Sequence, residues 1–345
     1  AKEYTNGSTL DLPRLLRTIM FFTFVCEAFG SFLLMLRFVP MFGGKGIWIS
    51  VFLSVSAYCN AGFDILGFLK PDASLELFVG DPLVCLTICC LIILGGIGFI
   101  VTVDLYNWGR KRVRKEERRP HLTLHTRIVL VSTASLLVLG TVLTLGLEYD
   151  HTLKDLNFWE KLNASFFQSV TARTAGYATI PQGELGDATK LVTIILMFIG
   201  ASPSSTGGGI KTTTFVVLVA TVVSISRGRD ETVINKRRVD KSVVYRAMTI
   251  VAMAFLVIAI TSGVIMVTTP PEVSAIDAVY EAVSAFGTVG LTTGLTPDLS
   301  IVAKILVMLT MFIGRVGPIS LVLALTMKHS GGPGKILPEG KVIVG

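Results

Sequence analysis

Three stretches of this chain read alike and stand at one spacing. They are Ser54-Val-Ser-Ala-Tyr-Cys-Asn-Ala-Gly62, Ser169-Val-Thr-Ala-Arg-Thr-Ala-Gly176 and Ala282-Val-Ser-Ala-Phe-Gly-Thr-Val-Gly290. From Gly62 to Gly176 is 114 residues, and from Gly176 to Gly290 is again 114. A second landmark keeps this period: Met197-Phe-Ile-Gly200 and Met311-Phe-Ile-Gly314 each end 24 residues after their glycine. Two landmarks at one period mark an internal repeat, and a repeat decides architecture before any local pattern does. The middle copy is one residue shorter just before its glycine, so its helix is expected to end differently.

Each copy lies between long apolar runs. The runs ahead of it cover residues 15–38, 122–147 and 243–268, and those behind it 83–103, 191–199 and 301–325. Most come at or near the ~20 residues that a helix needs to cross a bilayer. The chain is 51% hydrophobic and 16% charged, where soluble domains carry about a quarter of charged residues. Its polar start (Ala1 to Asp11), the absence of a cleavage pattern and Glu27 in the first run give no sign of a secretory leader. The dozen or so moderately apolar residues that end at each glycine are too short to span, and read as a re-entrant half-helix. A polar segment with Pro71, Pro181 or Pro297 then leads into the second long helix.

The fold expected is therefore an all-α integral membrane protein. Repeated M1–P–M2 units (helix, re-entrant pore loop, helix) surround a central pore. The units occupy residues 1–109, 110–226 and 227–330, with a short C-terminal tail at 331–345.

The net charge of +7 is unevenly spread. Residues 110–127 hold eight Lys/Arg and residues 227–246 hold seven, together 15 of the 31 basic residues. Residues 270–300 hold none, but carry Glu272, Asp277, Glu281 and Asp298. Short basic loops stay in the cytoplasm, so the basic loops are expected there and the half-helices enter from outside. Contact with anionic lipid explains the basic loops, and nucleic-acid binding is not expected. All five cysteines lie in apolar stretches without metal-ligand spacing, and His121 and His125 have no third ligand nearby.

A half-helix that enters the membrane, stops at glycine and leaves again needs a lined cavity, because irregular backbone at that depth must sit inside protein or beside water. Its carbonyl-rich C-terminal end carries negative partial charge and favours a cation. Glycine frees the chain to turn its carbonyls to the axis, and rings of carbonyls replace the hydration shell of potassium.

Asn60-Ala61-Gly62-Phe63, Thr174-Ala175-Gly176-Tyr177 and Thr288-Val289-Gly290-Leu291 resemble the degenerate selectivity filters of the Ktr/Trk/HKT superfamily of K+ transporters. Gly200-Ala-Ser-Pro-Ser-Ser-Thr-Gly-Gly-Gly209-Ile-Lys-Thr, Gly314-Arg-Val-Gly-Pro318 and the tail from Pro338 to Gly345 are similar to the membrane subunits of its bacterial Ktr branch. The resemblance covers essentially the whole chain. It implies four such units around one pore, of which three are visible, the expected first being absent. It also implies a homodimer in the plasma membrane, a separate cytosolic nucleotide-binding regulatory ring, K+ (with Na+ as the alternative) as transported ion, no bound cofactor and no covalent chemistry. The docking surface expected for the ring is the loops at 110–127 and 227–241 and the tail at 328–345.

The polar run within residues 200–214 interrupts a helix that its sister units suggest should be continuous. Pro203 removes a backbone donor, and the hydroxyls and glycines around it do not sustain a buried helix. The 114-residue register puts this segment beneath the filter. By resemblance Ala201, Ser202, Pro203, Ser204, Ser205, Thr206, Gly207, Gly208 and Gly209 form a gating loop. Arg315, deep in the last apolar helix, is expected opposite this loop, bonded to its carbonyls and hydroxyls. A charge at such depth is costly and functional by default. Arg173 is expected to pack or pair rather than touch an ion, and Glu27 to be structural.

Two other function classes were weighed against a pore. A secondary transporter with a mid-membrane binding site calls for inverted repeats, whereas these run parallel. An ATP-driven pump needs a nucleotide domain that no loop here is long enough to supply, and Gly209-Ile-Lys211-Thr212 lacks both the spacing and the preceding strand of a phosphate loop.

Overall fold

The computed structural model describes residues 12–71, 73–114, 121–229, 231–270 and 273–317. The tail expected at 331–345, and residues 115–120 of the first basic loop, lie outside the described residues.

One order of parts, a long helix, a short one and a further apolar helix, opens each of three sets, and a fourth helix is described in the first two. First come α1 (Leu12–Phe42), α2 (Gly44–Tyr58), α3 (Pro82–Ile97) and α4 (Phe99–Val113). The second set is α5 (Leu124–Glu148), α6 (Phe158–Thr171), α7 (Asp187–Phe198) and α8 (Thr212–Ser226). The third is α9 (Lys241–Thr268), α10 (Ala275–Gly287) and α11 (Ile301–Val316). The starts of these helices are written locally. The Asp81 carboxylate accepts from the Leu83 and Val84 amides ahead of Pro82, and Asn157 and Glu160 close a capping box on α6. Thr123, Asp240 and Ser300 cap α5, α9 and α11 in the same way.

Leu16–Phe42, Leu124–Glu148 and Lys241–Thr268 are each long and apolar enough to cross a membrane, and α3 with α4 is an apolar pair bent by 98° at its break. Phe21, Phe24, Phe29, Val138, Val142, Phe255, Leu256 and Phe312 are exposed along α1, α5, α9 and α11. Apolar surface of that extent belongs against lipid.

Each short central helix packs inside its own set, α2 against α1 and α3, α6 against α5, and α10 against α9 and α11. It also leans on the set before it: α6 meets α3, and α10 meets α7. The sets thus follow one another around an axis. Small residues allow the close crossings. Gly30 of α1 faces Ser54 of α2, and Gly140 of α5 faces Ser169 of α6. Both serines donate to the long helix, Ser54 to the Glu27 carbonyl at 2.7 Å and Ser169 to the Leu137 carbonyl at 2.9 Å.

One departure from an all-helical chain is a hairpin of β1 (Val233–Ile234) and β2 (Arg237–Arg238) between α8 and α9. Asn235 and Lys236 at its tip have φ of 49° and 63°, the left-handed pair that a two-residue hairpin turn demands.

Candidate ion pathway

The three central helices end close before three turns of one shape. Asn60, Thr174 and Thr288 have φ of 50°, 75° and 50°, and two residues later Gly62, Gly176 and Gly290 have φ of 72°, 90° and 93°. The residues between them are not left-handed. Such alternation lets successive carbonyls face one side, as a ring of oxygen ligands requires. The helices do end differently: α2 stops two residues before Asn60, α6 three before Thr174, and α10 one before Thr288.

The turns touch in series. A side chain on Gly62 would collide with the Ala175 carbonyl and stand 3.1 Å from the Gly176 Cα. One on Gly176 would collide with the Val289 carbonyl, whereas at Gly290 only the Gly176 Cα lies near, at 3.7 Å. Glycine at 62 and 176 therefore answers both to φ and to the neighbouring backbone.

Of the twelve residues expected to form the filter, Phe63 and Tyr177 need correction. The Phe63 carbonyl accepts from the Ser56 hydroxyl at 2.8 Å and from the Tyr177 hydroxyl at 3.1 Å. The Tyr177 carbonyl accepts from Thr171 at 2.6 Å. Both carbonyls are committed to hydroxyls of the surrounding protein, so these residues brace the turn instead of offering free ligands. Sequence reading also passed over the side chains of Asn60, Thr174 and Thr288. Their buried amide and hydroxyl atoms have no hydrogen-bond partner among the described residues. Buried polar atoms are rarely left so, and these three hold equivalent positions at the inner end of the turns.

Directly beneath them runs the loop between α7 and α8. A side chain on Gly207 would strike the Thr174 hydroxyl, and one on Gly208 the Thr288 hydroxyl. The loop is also fastened to the first set. Ser202 N donates to Gly96 O at 3.0 Å and Thr206 N to Gly95 O at 3.3 Å; the Thr206 hydroxyl donates to Tyr58 O at 3.2 Å, and Phe99 N to Ser204 O at 3.0 Å. Two cations hold its ends: Arg173 Nη2 donates to Gly200 O at 3.4 Å, and Lys211 Nζ to Gly207 O at 2.7 Å. Arg173 is 7% exposed, and pairing with the loop is what it does there.

Two expectations about this region are corrected. The sister helices are not continuous, because α3 and α4 break at Gly98 (φ 92°, ψ 143°), where a Cβ would meet the Pro203 carbonyl. Gly317, after α11, repeats that conformation (φ 89°, ψ 131°). Arg315 is exposed and makes no hydrogen bond or ion pair among the described residues; its charge reaches Lys211 and Cys59 instead. Lys211, already on the Gly207 carbonyl, takes the place expected of it, and two cations repel at that range. Lys211 had a legible signal, a lone lysine between polar loop and apolar helix. Glu27 accepts from the Cys59 thiol at 3.8 Å behind the first turn.

The profile of the TrkH family, described as cation transport protein, matches residues 3–332. The chain belongs to the TrkH family. It is 36% identical to the Ktr system potassium uptake protein B of Bacillus subtilis, over all of this chain and 74% of that one. It is 38% identical to the potassium/sodium uptake protein NtpJ of Enterococcus hirae, over all of this chain and 75% of that one. The crystal structure of the potassium transporter TrkH from Vibrio parahaemolyticus shares the fold, with a TM-score of 0.72 at 16% identity over 93% of this chain and 66% of that one. The chain thus spans about three quarters of the length of these two sequence relatives. It is a helical membrane protein of a transporter family.

Proposed function

We propose that this TrkH-family chain is the pore-forming subunit of a potassium uptake system. The observation that carries this reading is the serial contact of three turns, each left-handed at its first and third residues, over an irregular loop. Carbonyls of Asn60, Ala61 and Gly62, of Thr174, Ala175 and Gly176, and of Thr288, Val289 and Gly290 replace water around a dehydrated K+. The C-terminal ends of α2, α6 and α10 add their negative partial charge. The side-chain oxygens of Asn60, Thr174 and Thr288 receive the ion as it leaves the filter. A fourth unit, implied by the family resemblance, closes the ring.

Residues 201–209 are the gate in this reading. Fastened to α3 and α4 and backed by Lys211, they lie across the exit from the filter, and conduction requires them to move. Arg315 adds fixed positive charge beside that exit and raises the barrier to a cation there. Topology follows the basic loops: residues 110–114 and 227–241 face the cytoplasm, and the turns face outside. The relative's designation as part of a Ktr system supports a cytosolic regulatory partner, a nucleotide-binding ring on a homodimer in the plasma membrane. A second reading, a less selective Na+/K+ pathway, is favoured by the unlike chemistry of Asn60 beside Thr174 and Thr288, and by the potassium/sodium relative.

Flux of K+ into liposomes carrying the full-length protein, with Na+ in competition, tests the proposal. Saturable K+ entry that Na+ barely inhibits supports the first reading, and equal entry of both ions supports the second. No entry of either ion, with the regulatory partner present, overturns both.

A further inference from the structure

Away from the pore, α8 and the hairpin enclose a groove of about 300 Å³. Val216, Val219, Ala220, Val223 and Arg227 stand at helical spacing along one face of α8 and form its floor. This stripe is about 16 Å long, at 1.5 Å per residue. It runs from the apolar body of the helix to a guanidinium at its end. Arg229 completes the mouth, and β1 is the opposite wall.

Of the basic groups nearby, the two arginines are the ones that line the groove. Arg238 is paired with Glu231 at 2.9 Å. The side chains of Arg227 and Arg229 are exposed and have no hydrogen-bond or ion-pair partner among the described residues. A path apolar at membrane depth and doubly cationic at the membrane surface fits a molecule with one acyl chain lying along valines and one anionic head.

We propose that this groove is a binding site for an anionic phospholipid, its phosphate held by Arg227 and Arg229 and an acyl chain laid on Val216, Val219, Ala220 and Val223. The site stands apart from the filter and the loop, so the assignment does not depend on how the pore works. It fixes the end of α8, the helix that follows the irregular loop, to the lipid surface. Charge supplies the choice of head group, and the length of the valine stripe supplies the choice of a lipid over a free phosphate.

The experiment uses the full-length protein in detergent, mixed with phosphatidylglycerol, with phosphatidylcholine or with glycerol phosphate. Bound lipid is counted by native mass spectrometry, and thermal stability is read in parallel. The native chain is expected to retain phosphatidylglycerol and gain stability from it, and to do neither with the other two. Arg227→Gln with Arg229→Gln should weaken retention about thirtyfold, at about fivefold for each basic residue. Val219→Trp should fill the groove and displace the lipid with both arginines intact. Lys236→Gln with Arg237→Gln, equal in charge change but on the hairpin tip, should leave retention unchanged. An equal loss in the hairpin-tip variant overturns the site in favour of diffuse surface charge. Equal stabilisation by glycerol phosphate overturns the lipid in favour of a free anion, and retention that survives Val219→Trp overturns the groove.

Discussion

The second membrane helix of the first unit and that of the second unit meet one problem and solve it differently. Each must turn aside just below the three left-handed turns. In the first unit one residue does this: Gly98, at φ 92°, swings α4 by 98° from α3 and costs a single break in the helix. In the second unit the turn takes thirteen residues, 199–211, between α7 and α8. A one-residue bend fixes a direction. A loop of glycines and hydroxyls, held by bonds that can be exchanged for water, can adopt more than one arrangement. The two are also joined, since Ser202 and Thr206 donate to Gly96 and Gly95, and Phe99 donates to Ser204. The one-residue bend is the anchorage on which the longer loop rests.

Removing the loop breaks this comparison most severely. Its four hydrogen bonds to the first unit are worth ~1 kcal/mol each. Together they amount to ~4 kcal/mol, enough to shift a closed-to-open ratio about a thousandfold. Deleting residues 202–208 should therefore speed K+ flux by orders of magnitude and make it independent of a cytosolic partner. Flux that stays slow and partner-dependent would reduce the loop to a structural break and place the control elsewhere.

Next in size are the glycine turns above it. Gly176→Ser meets both a φ of 90° and the Val289 carbonyl, whereas Gly290→Ser meets only its φ of 93°. Strain at such φ costs about 1–3 kcal/mol. The K+ over Na+ preference should fall about tenfold or more for Gly176→Ser and clearly less for Gly290→Ser. Competition between the two ions in liposome flux measures both. Equal effects would mean that φ alone, and not the contact between neighbouring turns, limits these positions.

The bend and the loop also mark the boundary of what sequence makes legible. The repeat, the long helices and the glycines of the turns were all readable, because each leaves a signal either local or periodic. Asn60, Thr174 and Thr288 take one backbone conformation, as their spacing predicts. The partners of charges were not readable. Arg315 sits where register puts it, yet Lys211 and Arg173 hold the loop, since carbonyl capture depends on distances that no spacing encodes. The break at Gly98 escaped for a similar reason. Gly95-Gly96-Ile97-Gly98 lies in an apolar run that reads as one helix, and its bend is forced by the backbone of residues 203–204 from another unit. The hairpin at Asn235-Lys236 escaped because that dipeptide lacks the glycine that usually marks such a turn.

A smaller effect is expected where the loop is held by a side chain. Lys211→Met removes the charge-assisted bond to Gly207 and leaves the backbone bonds of the loop in place. Bonds of that class are worth ~1.5–3 kcal/mol, so flux without the partner should rise about tenfold and stay well short of the deletion. Arg173→Gln, at the other end of the loop, should act in the same direction. Combining the two substitutions asks whether the ends are independent: additive effects mean two separate latches, and a shortfall means one closed arrangement that either end can release.

The smallest expected effect tests the bracing of the turns rather than the loop below them. The Tyr177 hydroxyl of the second unit donates to the Phe63 carbonyl of the first at 3.1 Å, and Ala178 N donates to the Ser74 hydroxyl at 3.3 Å beside it. The third unit has Leu291 at the equivalent position and no hydroxyl to offer, so this tie exists on one side of the second unit only. Between the second and third units the corresponding tie lies further from the turn, where Tyr280 donates to the Gln182 side chain at 2.9 Å. Tyr177→Phe keeps the buried ring and loses one neutral hydrogen bond, about 1 kcal/mol. The Phe63 carbonyl keeps its bond from Ser56, so the first turn loosens without collapsing. A drop in K+ over Na+ preference of a few-fold at most is expected, with full flux and an intact gate. Tyr280→Phe should lower thermal stability by a similar amount and leave ion preference unchanged. If the two substitutions affect preference equally, the brace acts through general stiffness of the units and not through the Phe63 carbonyl that it touches.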